Sequence, residues 1–156
     1  MDRFNKLGAL FVRLPMLTGG IITMIIGFGH IFMPTAGYED TVIFSMAPAI
    51  RDHFYYLGTY AICIFLLALG FISIYFSRIE LSIHTIIISS ILAILWIGRT
   101  ILEFIYPVEI KIFMLQKPHN ALRIVISTLA LLYSITSFYG WALKDNFRFQ
   151  RKKDSL

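Results

Sequence analysis

The chain has 156 residues, of which 58% are hydrophobic and 15% charged, and its mean hydropathy is +0.75. A soluble domain carries about 25% charged residues, so the composition excludes water as the solvent for most of this surface. Fourteen Lys and Arg stand against nine Asp and Glu, a formal charge of +5; the basic residues gather beside apolar runs at the two termini, which points to membrane orientation and anionic headgroups and away from nucleic acid.

A helix needs about 20 apolar residues to cross ~30 Å of hydrocarbon, and four stretches qualify. The first spans roughly residues 14–33 and ends at Pro34. Arg3 and Lys6 precede it as they would in a signal peptide, but the apolar run is too long for one and lacks an A-x-A-like cleavage site, so it reads as a retained helix. Gly20, Thr23, Gly27 and His30 recur at helical spacing along it, and such small residues on one stripe allow another helix to come close. Residues 34–54 mix turn residues with apolar ones and read as a long extracytoplasmic connection with a short interfacial element, since irregular backbone is not tolerated in lipid. Asp52 and His53 close that connection.

The second span covers about residues 55–76, with Tyr56 and Tyr60 continuing from His53 at helical spacing. Cys63 is the only cysteine, which excludes intrachain disulfides and Cys-based zinc or iron–sulfur sites. Residues 77–80 form a tight turn, so the second and third spans are expected to be antiparallel neighbours. The third span runs over about 81–104. His84, with Thr85, Ser89 and Ser90 nearby, reads as a helix–helix hydrogen-bonding group. Farther along, Trp96, Arg99, Glu103 and Tyr106 fall on one helical face, with Arg99 and Glu103 an i,i+4 charge pair. An Arg inside a span is costly, about 2.5–3.5 kcal/mol on insertion scales, and is expected to face the bundle interior or a wet cavity. His119, Asn120 and Arg123 open the fourth span, about 121–143, and a basic tail occupies 144–156.

Topology follows from the positive-inside rule. Nine Lys and Arg (Arg3, Lys6, Arg13, Arg78, Lys144, Arg148, Arg151, Lys152, Lys153) fall on one side against four (Arg51, Lys111, Lys117, Arg123) on the other. Both termini are therefore expected to be cytoplasmic. The chain reads as one all-α domain, an integral membrane four-helix bundle. With that topology His30, Asp52, His53, Trp96, Arg99, Glu103, Tyr106, His119 and Arg123 all map to the outer half, and His30 and Arg99 rise to similar depths. This gathering is the candidate ligand site.

A polar pocket at that level suits a small amphiphile or anion: a lipid, a quinone or an organic acid. If chemistry occurs, Glu103 or His30 is the candidate general acid/base, with Arg99 binding an anionic group. No H-x-x-x-H or H-E-x-x-H pair is present, so no metal motif is read and no cofactor is assigned. Expected partners are membrane lipids and a homo-oligomer or larger membrane complex. Two alternatives remain: an accessory subunit whose buried polar groups specify helix contacts, and a transporter assembled as a homo-oligomer.

Arg13, the Gly19–Gly20 pair, Gly27, His30 and Pro34, together with a long first and a short second connection, resemble the opening of the DoxX-like membrane proteins. His30 stands where that family often has Lys. The resemblance implies a bacterial inner-membrane bundle associated with redox enzymes, and it fixes no substrate.

Overall fold

The structure is a computed structural model that describes residues 2–33, 45–79, 82–107 and 118–153. Most of the expected first connection lies outside these residues, as do Lys111 and Lys117. The described residues are helical and contain no strand. Four helices are long and apolar enough to cross a membrane, so this is an integral membrane fold. We label them α1 (Asp2–Phe32), α2 (Pro48–Arg78), α3 (Ile83–Ile105) and α4 (Pro118–Lys153).

Each helix boundary has a local cause. Pro48 starts α2, where a missing backbone N–H costs nothing, so this helix begins before the expected Tyr55. Arg51–Leu57 then winds as a wider π-helical turn before ordinary α geometry resumes at Gly58. Ser82 caps α3 through a capping box with Thr85, and Tyr106 ends it ahead of Pro107. The basic segment after Leu143 does not leave the helix, because α4 continues to Lys153.

Small residues decide which helices meet. A Cβ on Gly20 would lie 2.9 Å from the Gly70 carbonyl oxygen, and one on Gly70 would lie 2.8 Å from the Gly20 oxygen and inside the Met24 side chain. The backbones of α1 and α2 therefore cross in contact, antiparallel, at a point only glycine permits. Gly19 makes room for the Tyr133 ring of α4 in the same way, with 2.9 Å to a hypothetical Cβ. On α4, Gly140 faces Ile86 of α3. The result is a ring in which α1 packs on α2 and α4, and α4 packs on α3. The fourth edge differs: α2 and α3, although joined by a short link, touch only slightly. The expected α2–α3 neighbour pair is thus the loosest edge, because the Gly70 face of α2 is committed to α1 and the Ile86 face of α3 to α4.

The core holds Leu92, Ala93 and Trp96 of α3 with Ile126, Leu129, Ala130 and Tyr133 of α4. Several hydroxyls at this depth are bonded between helices. Tyr133 Oη donates to Ser73 Oγ (3.0 Å), which donates to the Met16 carbonyl (2.7 Å), joining α4, α2 and α1. Ser90 and Ser137 link α3 to α4 at 2.6 Å, and Trp141 Nε1 donates to Ser90 Oγ at 3.2 Å. His84 is exposed; the inter-helix bond expected of it is made by Ser90. Outward, Ile64, Ile94, Ile124 and Phe138 belong to an apolar surface suited to acyl chains.

Candidate functional site at the α3–α4 end

The contacts of α4 with α3 pair Gly140 with Ile86, Ser90 with Ser137 and Arg123 with Phe104. This antiparallel register sets the C-terminal end of α3 against the N-terminal end of α4. Arg99 and Glu103 are carried there by one helix, His119 and Arg123 by the other, with Trp96 farther back along α3.

Glu103 is fully buried, and its Oε2 accepts from Arg99 Nη2 at 2.8 Å along the helix. The Arg99 side chain keeps 41% of its surface exposed, so the pair reaches from the protein interior to its surface. Arg123 places its guanidinium carbon 4.9 Å from the centre of the Phe104 ring, a cation–π contact. Among the described residues, Arg99 forms an ion pair with Glu103 at this end and Arg123 forms none.

Three buried polar atoms here have no hydrogen-bond partner: Trp96 Nε1, His119 Nδ1 and Arg123 Nε. Trp96 is only 6% exposed. Leaving such a group unmade costs about 1–3 kcal/mol, and native proteins rarely leave one; His119 and Arg123 lie at this end, whereas Trp96 lies nearer mid-helix, in the cluster with Leu129 and Tyr133. The indole and guanidinium nitrogens are donors, and cannot accept. What they lack is an acceptor.

The remaining expected site residues lie elsewhere. His30, half-buried on α1, contacts the Ile26 carbonyl through Nδ1 at 2.8 Å; a carbonyl only accepts, so Nδ1 carries a proton. His30 and Arg99 are not brought together, because α1 and α3 stand on opposite corners of the ring. The contacts of α4 with α1 (Gly19–Tyr133, Phe11–Tyr139) and with α3 also carry His30 more than a helical turn beyond the level of Arg99. Asp52 is exposed and paired with its neighbour Arg51 at 3.3 Å. His53 is exposed as well, and Tyr106 is 73% exposed at the tip of α3. Among the described residues no three His, Cys, Asp or Glu side chains come together as a metal-binding set.

Two contributors were not singled out from the sequence. Phe104 supports Arg123, which the antiparallel register of α3 and α4 would have revealed. Tyr55 donates to the Met33 carbonyl at 2.8 Å and ties α2 to the end of α1; nothing in its sequence context signals that.

No family model matches the chain, and no curated protein or solved structure does either. The likeness to the DoxX-like proteins thus rests on the first-helix pattern and the connection lengths alone.

Proposed function

We propose that this protein binds a small anionic amphiphile at the α3–α4 end of its bundle. The observation that carries this reading is the set of buried nitrogens without acceptors, Trp96 Nε1 and Arg123 Nε foremost, with Arg123 in no ion pair among the described residues. A carboxylate or phosphate head supplies both the missing acceptors and the missing negative charge, and charge-assisted bonds to Arg are among the strongest available. The apolar surroundings of Trp96 suit the remainder of such a molecule. The Lys and Arg asymmetry favours cytoplasmic termini, which turns this end outward; the bacterial inner membrane is what the DoxX-like resemblance implies.

Native mass spectrometry of gently solubilised protein tests the reading. The wild type is expected to carry a discrete anionic mass that Arg123→Gln and Trp96→Phe lose. Retention of the same mass by both variants overturns the proposal. A stable protein partner in place of a small mass supports the accessory-subunit reading instead.

A further inference from the structure

Resting on the anion-site reading, we infer that the ligand is a phosphate-headed membrane lipid that lies along the α2–α3 edge and enters it sideways from the bilayer. That edge is the one place where neighbouring helices in the ring touch only slightly. Its floor is apolar: Leu66 and Leu69 of α2 and Ile88 of α3 are partly exposed while packing on the cluster that contains Leu92 and Trp96. A groove of this kind, opening laterally between two membrane-spanning helices, faces hydrocarbon and not water.

Arg99 marks the polar end of the groove. By helical position it leaves α3 on the flank away from Ile86 and Phe104, the side chains that meet α4. It is therefore turned toward the open edge. Glu103 takes one of its N–H groups, and no other hydrogen bond of Arg99 is found among the described residues. A guanidinium has several donors arranged to grip phosphate oxygens, and on a partly exposed face in lipid the remaining ones need acceptors. An acyl chain along Leu66, Leu69 and Ile88 with a phosphate at Arg99 meets both demands at once. A water-borne anion meets only the second.

The test uses the full chain in phosphatidylcholine nanodiscs with added phosphatidylglycerol, reading the lipids retained on ejection into a native mass spectrometer. Glycerol 3-phosphate serves as the soluble head without a tail. Leu95→Trp, at a position 42% exposed that helical spacing sets on the groove flank, obstructs the edge while leaving Arg99, Trp96 and Arg123 intact. Phosphatidylglycerol retention is expected to fall at least about tenfold in both Arg99→Gln and Leu95→Trp, and glycerol 3-phosphate is expected not to displace the lipid.

Displacement by glycerol 3-phosphate, with unchanged retention in Leu95→Trp, would overturn the lipid inference and leave the anion site standing. Equal retention by wild type and both variants would overturn it as non-specific adherence. A dimer that forms as lipid is removed would overturn it too, with a second copy as occupant of the edge. Failure to retain either phosphatidylglycerol or glycerol 3-phosphate would remove both readings.

Discussion

The seam where α1, α2 and α4 meet and the end where α3 meets α4 treat polar groups in opposite ways. At the seam every buried hydroxyl described above has a partner: Tyr133 bonds to Ser73, Ser73 to the Met16 carbonyl, and Thr23 to the Gly19 carbonyl at 2.7 Å. Glycines bring the backbones together around them. Along the α3–α4 pair, an indole near mid-helix and an imidazole and a guanidinium at the end each bury a nitrogen with nothing to bond. Low dielectric strengthens a satisfied network and penalises an unsatisfied one. The first region holds the helices together; the second leaves donors open, which is what the proposed anion would fill.

Disturbing the seam breaks the comparison from the structural side, and the largest effect is expected there. In Gly70→Val the new side chain collides with Met24 and with the Gly20 carbonyl, which as backbone cannot turn aside. Overpacking usually costs about 1–3 kcal/mol, and a backbone clash belongs at or above the top of that range. Thermal unfolding in detergent is expected to show a destabilised or misassembled protein. Tyr133→Phe is milder: it removes the bond to Ser73 but leaves Ser73 its own acceptor, a loss of about 1 kcal/mol or less in the same assay.

The smallest stability change is expected at the other region. Arg123→Gln removes a cation–π contact with Phe104 and, with it, a buried nitrogen that had no acceptor. These effects oppose one another, and the net is expected within about 1 kcal/mol of zero. Anion retention should nevertheless drop sharply. A variant that unfolds like Gly70→Val would place Arg123 among the structural residues and erase the contrast.

Depth was legible in the sequence and direction was not. Apolar runs located four spans, and Gly20 with Gly27 marked a close-packing face. The early start of α2 was hidden because Arg51 and Asp52 interrupt the apolar run, although Pro48 is a helix-starting residue. For the site, hydropathy and spacing set His30, Asp52, Arg99 and His119 toward one end, and they do lie toward that end of the bundle. Whether they meet depends on the order of helices around the ring, which the Gly20–Gly70 and Gly19–Tyr133 contacts decide. Those contacts are long-range, and no local pattern encodes them. So Trp96, Glu103, His119 and Arg123 come to one helix pair, while His30 sits on α1 at the opposite corner from α3 and Asp52 on the exposed rim of α2.

The chain's two tryptophans carry the contrast in a form that can be observed directly. Trp141 Nε1 bonds to Ser90, while Trp96 Nε1 is buried without an acceptor. Nitrogen–proton correlation spectra of the two indoles, recorded in nanodiscs during titration with phosphatidylglycerol, would follow both at once. The account predicts that the Trp96 resonance moves to saturation while that of Trp141 stays in place. A Trp96 resonance unmoved by anionic lipid, or two resonances that drift together, would contradict it.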